Sequence, residues 1–199
     1  MGFARAALVI SLVLFPAIAY GGHHNFSAYA AYSLADNGSS GAGGIQSATR
    51  DFSTRAANSV GNGHGWQFSG EVALKAPESQ PYRFGFVADI SGHAVGGSRK
   101  WDATQFTVLV GPRFSFRPVI KQRANFFAHV MLFGGIHRSD SVAKTSVTTQ
   151  ALAFGGGVDV TYATEGHLGL RLQYDRIVAG TGIENTNRYS VGVVYLFHD

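Results

Sequence analysis

The 199-residue chain has room for one domain behind a short leader, and a hydrophobic fraction of 45% excludes disorder as its general state. Charged residues make up only 14%, below the roughly 25% of an average soluble domain, while glycine reaches 26 residues and aromatics 13%, a mixture suited to strands and turns. The formal charge of +4 is mild and no Lys/Arg-rich stripe occurs, which argues against nucleic acid as a partner; with no cysteine, neither a disulfide framework nor a thiolate metal site can form.

Residues 1–19 read as a secretory signal peptide: Arg5 near the start, an apolar run from Ala6 to Phe15, then Pro16 and the small-residue site Ala17-Ile18-Ala19. The run is shorter than the ~20 apolar residues that a spanning helix needs. Cleavage after Ala19 removes Arg5, lowers the formal charge to +3 and leaves residues 20–199 as a single domain.

Past the leader, segments of about ten residues alternate in side-chain character and are separated by Gly, Ser, Asn, Asp and Pro clusters, the pattern of an antiparallel meander. Asn25 to Leu34 is a weakly patterned first strand. From Gly65 to Lys75, Trp66, Phe68, Val72 and Leu74 oppose Gln67, Ser69, Glu71, Ala73 and Lys75. From Tyr82 to Ser91, Phe84, Phe86, Ala88 and Ile90 oppose Arg83, Gly85, Val87 and Asp89. Gln105 to Phe116 sets Phe106, Val108, Val110 and Phe114 against Thr107, Leu109, Gly111, Arg113 and Ser115. Phe126 to Gly135 is apolar on both faces apart from His129. The last three strands set Leu152, Phe154, Val158, Val160 and Tyr162 against Ala153, Gly155, Gly157, Asp159 and Thr161; Leu168, Leu170, Leu172 and Tyr174 against Gly169, Arg171, Gln173 and Asp175; and Tyr189, Val191, Val193, Tyr195 and Phe197 against Arg188, Ser190, Gly192, Val194 and Leu196.

The pattern predicts eight strands. Over these segments the oily faces hold bulky rings and no charge, whereas the other faces hold small residues together with Glu71, Arg83, Asp89, Arg113, Asp159, Arg171, Asp175 and Arg188. A soluble lipocalin-type barrel would have to put the rings inside, where they overfill a narrow lumen. The inverted arrangement fits: rings toward lipid, small and charged groups inside. The fold expected is therefore an all-β, eight-stranded antiparallel up-and-down transmembrane β-barrel.

Connection lengths orient it. With the first strand rising from the periplasm, the links Ala35 to His64, His93 to Asp102, Ser139 to Thr149 and Val178 to Thr186 lie outside, and the shorter links Ala76 to Pro81, Arg117 to Arg123 and Ala163 to Gly166 lie in the periplasm. Tyr82, Phe116, Tyr162, Tyr195 and Phe197 would then form the periplasmic aromatic girdle.

Gly111-Pro112-Arg113-Phe114-Ser115-Phe116, Phe133-Gly134-Gly135, Phe154-Gly155-Gly156-Gly157-Val158-Asp159-Val160 and the stretch from Arg188 to Phe197 resemble the small outer-membrane β-barrel family, with the OmpA membrane domain and OmpX-like proteins among its members. The resemblance runs from about Asn25 to Phe197. It implies an eight-stranded barrel in a Gram-negative outer membrane, with Phe197 as the terminal aromatic that guides assembly. Because no periplasmic peptidoglycan-binding domain follows, the cell-wall anchoring of OmpA is not carried over.

Inside so narrow a barrel, the eight inward charges should form an ion-paired structural plug. Turn register sets Asp159 opposite Arg171, and Asp175 beside Arg188. No catalytic, cofactor or metal site is expected. His137-Arg138-Ser139, with Asp140 adjacent, is the nearest approach to a nucleophile with a base, and rim polarity explains it more simply. His23 and His24 lack further ligands for a metal; Gly61-Asn62-Gly63-His64-Gly65 reads as a loop end, not a phosphate loop; the Asn37-Gly38-Ser39 sequon has meaning only in a eukaryotic secretory pathway. The function expected is structural or surface-interactive, above all through the loop Ala35 to His64, with a small porin-like transporter and a lipid-modifying enzyme as the alternatives. The expected partners are outer-membrane lipid, the barrel assembly machinery and an extracellular molecule at the loops, with the protein itself a monomer.

Overall fold

The computed structural model describes residues 25–36, 62–74, 81–95, 103–116, 124–140, 144–162, 168–180, 183 and 185–197. The expected leader, His23, His24, the sequon and most of the link from Ala35 to His64 lie outside them. Nine strand segments follow in chain order: β1 (Asn25–Asp36), β2 (Asn62–Ala73), β3 (Tyr82–Val95), β4 (Ala103–Phe116), β5 (Ala124–Met131), β6 (Phe133–Asp140), β7 (Thr145–Thr161), β8 (Leu168–Ala179) and β9 (Thr186–Phe197). Each pairs antiparallel with its neighbours, and β1 pairs with β9, so the sheet closes on itself. Segments β5 and β6 are the two halves of one barrel strand, because both lie between β4 and β7. The barrel thus has eight strands, and closure leaves no lateral edge within it.

That divided strand explains the one segment that read as apolar on both faces. Arg113 pairs with His129, yet Val110 pairs with Phe133, so β5–β6 carries one residue more than β4 opposite it. The extra residue is Leu132, whose N–H donates to the Val110 carbonyl at 3.0 Å. At this β-bulge the alternation slips by one, and both Leu132 and Phe133 face outward, 53% and 71% exposed. Gly134 follows with φ +142°, a backbone conformation that residues with a Cβ rarely adopt.

Burial follows the expected parity. Arg171, Arg188, Asp89, Asp159 and Asp175 are buried, whereas Phe84, Phe86, Leu172, Val191 and Val193 are exposed. The base of the barrel, where Asn25 and Phe197 lie, has outward Tyr82, Phe116, Phe126, Tyr162, Tyr195 and Phe197; toward the opposite rim stand Tyr32, Trp66, Phe154, Tyr174 and Tyr189. On β7, β8 and β9 the outward band between these girdles is aliphatic, with Val160, Leu170, Leu172 and Val193.

Several connections are shorter than expected. Residues 62–65, read as a loop end, open β2. The link Ser139 to Thr149 is mostly ladder: β6 and β7 pair from Gly135↔Gln150 up to Asp140↔Thr145, with only residues 141–144 between the two strands. Beyond the bilayer a strand needs no apolar face, so its sequence is as polar as a loop.

Candidate functional site

The inward side chains form two ion networks stacked along the barrel. Nearer the base, Arg171 donates from Nε to Asp159 Oδ1 at 2.5 Å and from Nη2 to Asp159 Oδ2 at 2.9 Å. The same guanidinium reaches Glu71, through Nη1 to Oε1 and through Nη2 to Oε2 at 3.2 Å. Arg113 bridges the same two carboxylates, donating to Glu71 Oε1 and, at 3.2 Å, to Asp159 Oδ2. Two cations thus alternate with two anions in a closed box. Ser27 Oγ donates to Glu71 at 2.7 Å, and Asn125 Nδ2 to Asp159 at 3.2 Å. The Phe127 ring contacts both guanidiniums, 3.7 Å from Arg113 and 4.7 Å from Arg171, and Tyr29 covers Arg171 at 4.7 Å.

Nearer the rim, Arg188 sits between two aspartates. Its Nη1 donates to Asp89 Oδ1 and to Ser91 Oγ, both at 2.7 Å, and its Nε and Nη2 donate to Asp175 Oδ2 at 2.9 and 2.7 Å. Asp175 also receives Gln173 Nε2 at 2.9 Å and lies 2.6 Å from His129 Nε2, and Gln67 donates to Asp89. Unpaired charge among such buried side chains would cost several kcal/mol, and multiple charge-assisted hydrogen bonds offset that cost.

Seven of the eight charges expected in the lumen belong to these networks. Arg83 does not: it pairs in register with Ser115 near the base, is only half-buried and makes no ion pair among the described residues. Asp159 and Arg171 are in register, as are Asp175 and Arg188. Sequence reasoning missed the contacts between strands that are not neighbours: Glu71 with Arg113 and Arg171, Arg113 with Asp159, Asp89 with Arg188, His129 with Asp175 and Ser33 with His93. For the last two the signal lay in the glycines. Gly155 stands between His129 and Asp175 in register, and a Cβ there would lie 2.3 Å from Asp175 Oδ1. Gly65 likewise separates Ser33 from His93, whose Oγ and Nε2 meet at 2.7 Å, and a Cβ there would lie 2.7 Å from the His93 ring. An inward glycine lets side chains two strands apart meet over its backbone.

The rest of the lumen mixes apolar side chains with buried Gln105, Thr107 and Thr186. Val87, Leu109, Met131, Ile136, Ala151, Ala153, Ile177 and Ile183 form one buried cluster. On β5 and β8 it begins immediately rimward of the second network, since Met131 follows His129 and Ile177 follows Asp175 by one inward position. At the rim, His137 Nδ1 lies 2.8 Å from Thr148 Oγ1, while Ser139 pairs in register with Ser146. Among the described residues no group of three or more His, Cys, Asp or Glu could hold a metal ion.

A closed antiparallel barrel that turns rings and aliphatic chains outward and keeps its charges inside is a transmembrane β-barrel, inverted relative to a soluble one. Among solved structures it is similar to two small outer-membrane barrels. Neisserial surface protein A shares 14% identity over 87% of this chain and 97% of its own, with a TM-score of 0.53. Ail, the attachment invasion locus protein of Yersinia pestis, solved with the heparin analogue sucrose octasulfate, shares 13% over 88% of this chain and 100% of its own, with a TM-score of 0.54. At such identities the likeness is one of fold. No protein-family model and no curated protein sequence matches the chain.

Proposed function

We propose that this protein is a monomeric outer-membrane barrel, exported by its N-terminal leader, whose lumen is a structural plug and whose function lies at its outer rim. The observation that carries this reading is the filling of the lumen: two ion networks and an apolar cluster occupy it, with Arg171, Arg188, Leu109, Met131 and Ile136 at most 1% exposed. Eight strands enclose room for side chains and little else. What remains available to other molecules is the lipid-facing wall and the rim. The barrel assembly machinery is needed for insertion and outer-membrane lipid surrounds the wall; a catalytic role is not proposed. One of the two similar barrels, Ail, was solved with a heparin analogue, so a sulfated polyanion is a reasonable first ligand to offer the rim.

The test is to reconstitute purified protein in planar bilayers and record single-channel currents, alongside heat-modifiable gel mobility and outer-membrane fractionation. A closed barrel gives no steady conductance. Sustained large openings would put the porin-like transporter ahead, and altered lipid A in a deletion strain would put the lipid-modifying enzyme ahead.

A further inference from the structure

Among the described residues two histidines, His93 and His129, point into the lumen, and their surroundings differ. His129 lies 2.6 Å from the Asp175 carboxylate. His93 makes no ion pair among the described residues: its Nε2 lies 2.7 Å from Ser33 Oγ, and its Nδ1 is buried without a hydrogen-bond partner. The contact with Ser33 ties β1 to β3 over the backbone of Gly65 on β2. It lies near the rim, since β1 ends at Asp36, β2 begins at Asn62 and β3 ends at Val95.

The groups around His93 offer a positive charge no counter-ion. Neighbouring strands bring Gln67 from β2 and Gln105 and Thr107 from β4, all buried and neutral. Ser91, one inward position below His93 on β3, accepts from Arg188 Nη1 at 2.7 Å, so the β9 guanidinium occupies the same part of the lumen. The carboxylates of that network, Asp89 on β3 and Asp175 on β8, are already bonded to Arg188. Arg138 of β6 stands in register with Gln105 and adds a further cation beyond it. A proton on the imidazole where it sits would therefore set a second cation beside Arg188 and leave Nδ1–H buried without an acceptor. Only Val95 follows His93 on the inward face of β3, so a short swing carries the ring to water.

We propose that His93 is an acid-operated latch: on protonation its ring leaves Ser33 for water at the rim, and the rimward ends of β1, β2 and β3 loosen. The opened ring is an ordinary imidazole with a pKa near 6.5. Acid favours the opened form as pH falls below that value, and higher pH favours the closed one. The basal box of Glu71, Arg113, Asp159 and Arg171 contains no imidazole, so the lumen stays closed while the rim responds. The rival sensor is His64, which pairs through Nδ1 with the hydroxyl of Tyr32, one residue from Ser33, on the outward face. That ring is exposed, so water solvates its charge without any strand moving.

Backbone amide exchange measured by NMR on the whole chain in nanodiscs at pH 7.5 and pH 5 tests the latch, each rate being taken relative to that of an unstructured peptide at the same pH. Protection at Ser33, Leu34, Gly65 and Trp66 falls between the two by about thirtyfold, the factor by which an imidazole of pKa near 6.5 favours an opened form at pH 5. Protection at Ser27, Ala28 and Glu71, toward the base, is unchanged. His93→Gln can still hydrogen-bond Ser33 but cannot titrate, and the fall disappears. His64→Gln retains it. In the wild type, ring nitrogen shifts show His93 becoming charged over the pH range in which protection is lost, a readout that does not depend on any variant folding. Unchanged protection at pH 5, an equal fall in His93→Gln, loss of the response in His64→Gln, or a charged His93 with the rim still protected would each overturn the latch. Steady current in planar bilayers at pH 5 would overturn it too, because the basal box would then have opened with the rim.

Discussion

His129 reaches Asp175 across an intervening strand: Nε2 and Oδ1 are 2.6 Å apart although β5 and β8 do not pair, and the residue between them in register is Gly155. A Cβ on Gly155 would lie 2.2 Å from the Tyr174 carbonyl and 2.3 Å from Asp175 Oδ1, so neither backbone nor carboxylate can stay in place. Gly155→Ala is therefore expected to destabilise the barrel by about 1–3 kcal/mol, as overpacking does. Gly70 is the control. A Cβ there meets only the Phe26 ring at 3.7 Å, an ordinary contact, and Gly70→Ala should be neutral or stabilising by up to about 1 kcal/mol. Urea titrations of folding into lipid vesicles measure both, and equal effects would remove the crossing role from Gly155.

The same relationship shows where sequence reading succeeds and where it stops. Period-two alternation in β2, β3, β4, β8 and β9 assigns inward and outward faces because each position there keeps one parity from end to end. In β5–β6 the bulge at Leu132 reverses parity midway, so averaging over the strand hides both faces. Strand β1 is faint because its outward positions include Ala28 and Ala30 and an inward one is Tyr29, opposite to the size rule elsewhere. Register between adjacent strands exposes Asp159 with Arg171; contacts over Gly155 and Gly65 need the placement of three strands at once.

Arg171 shares its two carboxylate partners with Arg113, so the Asp159–Arg171 pair is half of a four-membered box. Arg171→Met should cost about 3–5 kcal/mol, because Glu71 and Asp159 then face each other with one cation between them. A double-mutant cycle with Asp159→Asn should give a coupling of roughly 1–3 kcal/mol. Exchanging the pair, to Asp159→Arg with Arg171→Asp, should recover little. The new arginine would lie beside Arg113, and the new aspartate beside Glu71. Full recovery on exchange would mean that Arg113 and Glu71 do not belong to the box.

Val193 lies on the aliphatic band between the two aromatic girdles and is 48% exposed on the outer wall. Arg at this position places a cation near the bilayer centre, at a cost of roughly 2–4 kcal/mol. Phe197→Arg, at the basal girdle, should lose no more than about 1 kcal/mol through its charge, since its side chain can reach interfacial water. Vesicle-folding titrations compare the two directly. Equal penalties at both depths would contradict a membrane-spanning wall.

Leu109 and Leu170 separate lumen packing from lipid contact. Both leave water on folding, so replacing either with Ala forfeits the transfer of the same carbon atoms, about 2 kcal/mol. What differs is the space left behind. Leu109 is 0% exposed against Met131, Ile136 and Ile177, residues fixed by their own strands, so its removal leaves a cavity. Leu170 faces the bilayer, where mobile acyl chains fill the gap. Leu109→Ala is therefore expected to cost about 3–5 kcal/mol, well above Leu170→Ala, with the excess representing the unfilled volume. The cavity should not open a pore. Arg188 still holds Asp89 and Asp175, and the Glu71–Arg113–Asp159–Arg171 box still closes the lumen toward the base. Planar-bilayer recordings of Leu109→Ala should stay silent even as its folding titration shifts. Steady current from this single substitution would mean that the apolar cluster alone seals the barrel and that the ion networks let water pass.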